Sequence, residues 1–433
     1  MKVVHLLAWY FPDTLGGTEV YAAELAARQR AAGLDVLVAA PDDRSATSRC
    51  YRWDGTAVFR YPIADTARID EWLERQRGDI VHVHSLSTGV GLPQIAAARR
   101  SGARVIFTAH LPSLGFICQR GTLLRWGTEL CDGAVDPQLC AACTLQQRGM
   151  PRAMAPLFVT SAQPLARWSS AVPGRMATAI RMTSIIEENV VRQRRLLDGV
   201  DFFVGLNERA LSIVRANGAP ASKLVLNRLG VGIEPDSRPR SGNAGRPLRV
   251  GFIGRVHETK GIDILARALL AIPADVPIVV EVCGPRDPAD ETLGRMLADA
   301  AARDARLIVR GEIARAEVAD ALRRIDVLCC PSMWFENGPT VALEAQAVGT
   351  PVIGSDAGAM PEFITDGVNG RIVPAGRWEP LRDALQDVAL NPSVVDEWRR
   401  ALPKPRTMDD VAREYEELYA RALRSKHQPV AAI

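Results

Sequence analysis

A chain of 433 residues, 47% hydrophobic and 24% charged, is long enough to bury two or three cores and is no disordered polymer. Its formal net charge of +3 makes no electrostatic case for nucleic acid. No apolar run approaches the roughly 18 residues that cross a bilayer.

The opening VVHLLAWYF is short and leads into Pro12-Asp13 rather than a small-residue cleavage site. It reads as a buried first strand. The expectation is a cytoplasmic protein whose eight cysteines stay reduced and form no disulfide framework. Only five of the 53 basic residues are lysines, so a lysine inside a motif, such as Lys260, is unlike the arginine background.

In chain order, Lys2–Ala8 is predicted as a strand and Thr18–Ala32 as a helix that Gly33 ends. Asp35–Ala40, Asp79–His84 and Arg104–His110 are further predicted strands. Runs apolar on both faces, separated by helices, indicate a parallel sheet covered on both sides. Between Leu111 and about Arg195 the rhythm breaks. This stretch reads as an insertion with four cysteines and little apolar content, ending in a helical pattern over Ile180–Leu197. A strand over Phe202–Leu206 resumes the pattern.

Gly230–Arg246, rich in Gly, Pro and Ser, reads as an interdomain linker. Beyond it lie predicted strands Leu248–Ile253, Pro277–Cys283, Leu307–Val309, Asp326–Cys330 and Pro351–Ser355, with helices from Lys260, after Pro288 and over Pro339–Val348. The expected architecture is α/β: an N-terminal domain over 1–232, a second domain over 247–405, both doubly wound and facing a cleft, and a C-terminal helix within 406–433 that crosses back to the first domain.

The strongest signal is PSMWFENGPTVALEAQAVGTPVI over 331–353. A loop carries Glu336, Asn337 and Gly338, Pro339 suits a first helical position, and the helix carries Thr340 and Glu344. Free amides at such a helix start, beyond a strand's carboxyl end, form an anion site. Carboxylates at 336 and 344 can accept hydrogen bonds from sugar hydroxyls; the bland alternative is an acidic first turn favoured by the helix dipole. In GFIGRVHETKGID, over 251–263, Arg255 and Lys260 share a strand-to-helix loop. A forked cation beside a point cation suits a diphosphate, the alternative being solvated loop charge.

Glu336 and Glu344, spaced E-x7-E, together with Arg255 and Lys260, resemble the donor site of retaining glycosyltransferases of family 4, of the bacterial polysaccharide type. The resemblance implies the GT-B fold, two Rossmann-like domains with the active site between them, and a UDP- or GDP-sugar donor. It implies that Arg255 and Lys260 hold the diphosphate, that Glu336 contacts the donor sugar with help from amides near Asn337 and Gly338, that Glu344 binds the ribose, and that Thr340 lies near the phosphates. Gly284–Arg286 and Arg310–Ile313 match loops around the base. No aspartate–metal motif is present, and Arg255, Lys260 and helix amides can neutralise the diphosphate, so no catalytic metal is expected.

In the N-terminal half, Gly16 and Gly17 before a helix let backbone approach a phosphate or sugar closely. His84 and His110 end predicted parallel strands, which places both on the cleft edge, while His82 is expected to be buried. The resemblance makes His110 an active-site residue near the reacting sugar. Cys118, Cys131, Cys140 and Cys143 include one C-x2-C pair. They can hold a structural zinc or an iron–sulfur cluster, stay free thiols, or form redox disulfides. Cys283, Cys329 and Cys330 read as core. Met150–Arg195, with Trp168 and several Arg, is either a basic surface for anionic lipid or a solvated face. The expected partners are a nucleotide sugar and a sugar, lipid-linked or small-molecule acceptor, with peripheral membrane contact as a further expectation.

Overall fold

The computed structural model describes residues 1–13, 16–162, 164, 174–233, 235, 245–285 and 291–425. The chain divides into two compact units, one formed by Met1–Arg228 with the C-terminal segment from Met408, the other by Leu229–Thr407. Most of the expected linker, 234 and 236–244, lies outside the described residues, as do Trp168 and Arg286.

The first unit holds strands β1 (Lys2–Leu6), β2 (Asp35–Asp42), β3 (Arg49–Trp53), β4 (Thr56–Pro62), β5 (Ile80–Val83), β6 (Arg104–Thr108), β7 (Leu124–Arg125), β8 (Glu129–Leu130), β9 (Phe202–Gly205) and β10 (Leu224–Leu226). Its eight-stranded sheet runs β10-β9-β6-β5-β1-β2-β4-β3, with β7 and β8 apart as a two-stranded ribbon. Within the large sheet only β3 with β4 is antiparallel. The strands β1, β5 and β6 are buried on both faces, as helices on each side of a sheet require. Because β1 lies between β2 and β5, the chain changes direction of travel at β1/β5, the position where open α/β sheets leave a crevice at the strands' carboxyl ends.

The helix Met408–Arg424 buries Val411, Tyr415, Leu418, Tyr419 and Ala422, a one-sided stripe at helical spacing. It packs on the helix Gly17–Ala31, where the Tyr21 hydroxyl donates to Tyr415 (3.3 Å) and the Gln29 amide to Tyr419 (3.2 Å).

The segment after β6 differs from its sequence reading. It is helical from Pro137, with helices Pro137–Gln147, Ala155–Ala162, Gly174–Ile180 and Met182–Gly199. These carry an apolar cluster of their own, including Ala141, Leu145, Val159, Met182 and Ile186. The stretch 111–136 buries Leu114, Ile117, Leu123 and Leu124 as well, so the expected poverty in apolar residues does not hold. Small residues such as Ala141 and Ala142 supply much of the buried face, and scattered arginines on the outer face mask its periodicity. Among the described residues no helix is long and apolar enough to cross a membrane.

The second unit holds β11 (Leu248–Ile253), β12 (Ile278–Cys283), β13 (Leu307–Gly311), β14 (Val327–Cys330), β15 (Val352–Ser355) and β16 (Gly370–Val373). The order β13-β12-β11-β14-β15-β16 is all parallel. Numbered from the unit's first strand this is 3-2-1-4-5-6, the dinucleotide-fold order, whose switch point lies between β11 and β14. Cys283, Cys329 and Cys330 are buried on these strands.

Candidate active site

In the second unit two loops meet at the carboxyl ends of β11 and β14. Gly261 (φ 70°) lets them close: a Cβ there would stand 2.0 Å from the Pro331 carbonyl oxygen, so only glycine fits. The Met333 amide donates to the Thr259 carbonyl (2.9 Å), tying loop to loop. Lys260 thereby reaches Glu336, its ammonium donating to Oε1 at 2.5 Å. The Ser332 hydroxyl (2.9 Å) and the Trp334 indole N–H (2.8 Å) donate to the same oxygen. Lys260 also lies 5.6 Å from the Trp334 ring centroid, a cation–π approach. Three donors hold one oxygen of a buried carboxylate, and among the described residues no side chain or amide donates to Oε2.

Gly358 (φ 62°) lets a second turn lie against Glu336, whose carbonyl accepts from the Ala359 amide at 2.8 Å. Just below, burial and then the Glu336 charge push the Cys330 thiol up to about 12.

Arg255 is exposed on the β11 loop, with no ion pair among the described residues. Asn337 is buried, and Thr340 opens the helix Thr340–Ala347 and is exposed. Pro339 is the N-cap, in extended backbone, rather than the first helical residue. The amides of Thr340 and Val341 find no partner among the described residues, as the first turn of any helix leaves them. Gly338 stands where a Cβ would meet Leu229 at 2.2 Å.

Glu344 is buried and ion-paired to Arg315, a residue of the short helix after β13. Neither this partner nor Ser332 and Trp334 was singled out from sequence. The signal for Trp334 and Ser332 was their place within the same motif; Arg315 offered none, since arginine is common throughout. On the neighbouring loops the Gly284 amide donates to Gly311 (2.7 Å) and Arg310 pairs with Glu281 (2.7 Å).

In the first unit Gly16 is the extended N-cap of the helix Gly17–Ala31. The Glu19 carboxylate turns back to this position, and a Cβ on Gly16 would stand 2.4 Å from its Oε2. Burial raises the Glu19 carboxyl, against the opposing pull of the nearby Glu19 and Gly16 backbone. The helix start marked from sequence as an approach for phosphate or sugar thus carries its own carboxylate, which the reading passed over.

The histidines form one connected system. His5 Nε2 meets Gln29 Oε1 (2.8 Å), His5 Nδ1 meets His84 Nε2 (2.8 Å), and His84 Nδ1 meets His110 Nε2 (3.1 Å). Burial holds His5 down at about 4 and His110 at about 3, and lowers His84 well below its usual range, so all three are neutral at pH 7. A neutral imidazole has one donor and one acceptor. The Gln29 carbonyl needs a donor, which sets the order: His5 donates to Gln29, His84 to His5 and His110 to His84. Nδ1 is then the accepting nitrogen of His110.

His84 is fully buried, contrary to its expected place on an edge, because His5, His82, His110 and Tyr21 pack around its ring. His110 is half-buried and lines a small pocket with Ser85, Phe107, Leu111 and Ser113. His82 is buried, meeting Tyr419 and Thr108 at 2.7 Å each.

Residues 16–230 match the glycosyl transferase 4-like domain and residues 234–404 match glycosyl transferases group 1. The chain belongs to the family-4-type glycosyltransferases and has the GT-B fold. It is 31% identical over 226 residues to a D-inositol 3-phosphate glycosyltransferase of Kribbella flavida, covering 48% of this chain and 51% of that one. The enzyme of that name from Mycobacterium tuberculosis is 29% identical over 216 residues, covering 47% and 44%. The chain thus spans about half the length of the curated relatives it matches. Among solved structures, Anabaena Alr3699/HepE in complex with UDP aligns with a TM-score of 0.63 at 13% identity, over 97% of this chain and 100% of that one. Sucrose-phosphate synthase from Thermosynechococcus elongatus aligns at 0.64 with 16% identity, over 97% and 99%.

Proposed function

We propose that the protein is a retaining glycosyltransferase. In this reading it moves a hexose from a UDP- or GDP-linked donor to an acceptor hydroxyl in polysaccharide, glycolipid or other glycoconjugate synthesis. The observation that carries the reading is the Lys260–Glu336 contact at the β11/β14 switch point, beside the exposed Arg255. An ammonium has three donors. One holds Glu336, and the others are available to a β-phosphate, with Arg255 as a second cation.

Glu336 Oε2 then accepts from a donor-sugar hydroxyl, and the amides of Thr340 and Val341 add donors for phosphate oxygens. Charge building on the leaving diphosphate meets these preorganised groups, which lowers the barrier without a metal ion. The acceptor hydroxyl attacks the anomeric carbon on the face the diphosphate leaves. A departing phosphate oxygen takes its proton. His110 is neutral and held by His84, and a group held near 3 is poorly matched to proton transfer at pH 7, so its role is positioning rather than acid–base. The solved UDP complex of a neighbour with this fold supports the choice of nucleotide.

Incubating the purified protein with UDP- and GDP-sugars, with and without acceptors, tests the proposal. Turnover that needs an acceptor and gives a product of unchanged anomeric configuration supports it. Turnover with water alone, or inversion, overturns it.

A further inference from the structure

The insertion carries chemistry that sugar transfer does not use. Cys118, Cys131, Cys140 and Cys143 come from three pieces of backbone and line one pocket in the first unit. Cys118 closes a turn in which its amide donates to Ser113 (3.1 Å) and its carbonyl accepts from Gly121 (3.0 Å). Cys131 follows the β7–β8 ribbon, its amide donating to Leu123 (2.9 Å). Cys140 and Cys143 stand one turn apart on the helix Pro137–Gln147, hence on one face. Asp136 caps that helix, accepting from the Leu139 amide at 2.8 Å.

Two sulfurs already accept hydrogen bonds from backbone. The Gly133 amide donates to Cys131 Sγ (3.4 Å) and the Trp126 amide to Cys143 Sγ (3.3 Å). The Arg120 guanidinium stands 4.0 Å from Cys143 Sγ and donates to the Cys143 carbonyl at 3.1 Å.

The loop buries Leu114, Ile117, Leu123 and Leu124 but has little regular structure of its own. Between 111 and 136 the regular structure is two strands of two residues each. Leu114, Leu123 and Trp126 hold left-handed backbone (φ 47°, 52° and 56°), a costly conformation that a segment keeps only when something over-determines it. All four cysteines are free of disulfides.

We propose that the thiolates of Cys118, Cys131, Cys140 and Cys143 bind one zinc ion in a closed four-sulfur site that fastens the 113–136 loop to the helix Pro137–Gln147. Zinc suits four thiolates without an open position, so the ion is structural. Binding displaces the thiol protons as the Zn–S bonds form.

The one set of three ligating atoms within 4.8 Å of each other, among the described residues, is His5, His82 and His84, so the sulfurs stand farther apart than coordination needs. Four Zn–S bonds of about 2.3 Å give sulfur–sulfur edges of about 3.8 Å. Metal binding therefore contracts this pocket and tightens the loop. The histidine set is no rival site, being fully buried with its nitrogens engaged with one another, Gln29, Tyr419 and Thr108.

The test uses the full chain, purified under anaerobic conditions. Elemental analysis should find about one zinc per chain, and growth with cobalt should give the strong near-ultraviolet thiolate-to-cobalt absorption. Cys131→Ser and Cys140→Ser should each lose most of the metal, and cleavage within 111–150 should speed up, while Cys50→Ser changes neither. If the serine variants fail to fold, chelation of the unaltered chain serves instead. Proteolysis of the loop should rise with chelator and return to its starting rate with added zinc. Well under 0.2 zinc per chain with all four thiols open to a thiol reagent overturns the proposal. So does iron with acid-labile sulfide in place of zinc, or proteolysis that ignores chelator and metal alike.

Discussion

Lys260 and Glu336 lie 76 positions apart in the chain and share one hydrogen bond at the carboxyl ends of the adjacent strands β11 and β14. The contact exists because β14 returns to the far side of β11, bringing two strand-to-helix loops together at the point where strand order reverses. Gly261 supplies the close approach. A cation poised for phosphate and a carboxylate poised for a sugar are thus fixed before any donor arrives, and preorganisation of this kind is what lets charge stabilisation accelerate a reaction.

Lys260→Ala and Arg255→Ala should each lower kcat/KM by roughly 10²-fold or more, as for loss of one preorganised donor of charge. Lys260→Ala leaves Glu336 with Ser332 and Trp334, so the fold should survive. Circular dichroism with steady-state kinetics checks both halves of the expectation; near-native turnover in both variants removes the pair from the diphosphate site.

Glu336→Gln should lose turnover more than donor affinity, and Glu344→Gln the reverse. Arg315→Ala should mimic Glu344→Gln in weakening donor binding, and should lower stability by about 1–3 kcal/mol, because it strips a half-exposed partner from a buried carboxylate. Calorimetry and thermal denaturation separate these outcomes. Equal losses of affinity and turnover in both glutamate variants contradict the separate roles.

Tyr419→Phe removes the hydroxyl that serves both His82 and Gln29 in a fully buried setting. Leaving such groups without partners costs about 1–3 kcal/mol. Urea denaturation should register that loss, and no change would mean that the buried network rearranges without penalty.

The pH dependence follows from the histidines. His5 is held at about 4 and His110 at about 3, against an ordinary 6.5. Between pH 6.5 and about 4 the unfolded chain binds more protons than the folded one, so stability falls as the solution is acidified. Each neutral-held histidine contributes up to about 1.4 kcal/mol per pH unit to that slope. Urea midpoints measured from pH 7.5 to 4.5 should decline below 6.5, and His5→Gln should flatten the decline. A slope identical in the variant excludes His5 from it.

Much of this was legible in the residues. The strands β11, β12 and β14 are apolar runs bounded by turn residues, and E-x7-E with Arg255 and Lys260 needs only chain order to be seen. Packing was less legible. The β3–β4 hairpin went unread although Asp54-Gly55, both at positive φ, is a strong two-residue turn signal, because the outer strand is largely exposed and looks polar. An edge place for His84 follows from strand ends commonly lying open; only tertiary structure shows Tyr21 and the other histidines packing around it. Arg315 reaches Glu344 from across the unit, a pairing no spacing rule contains.

The most direct measurement of the central claim is calorimetric titration of UDP and GDP into the unaltered chain, Lys260→Ala and Arg255→Ala, in buffer containing a metal chelator. Binding of one nucleotide by the unaltered protein, weakened at least tenfold (about 1.4 kcal/mol) in both variants, is the predicted result. Equal affinity in all three proteins would contradict the account.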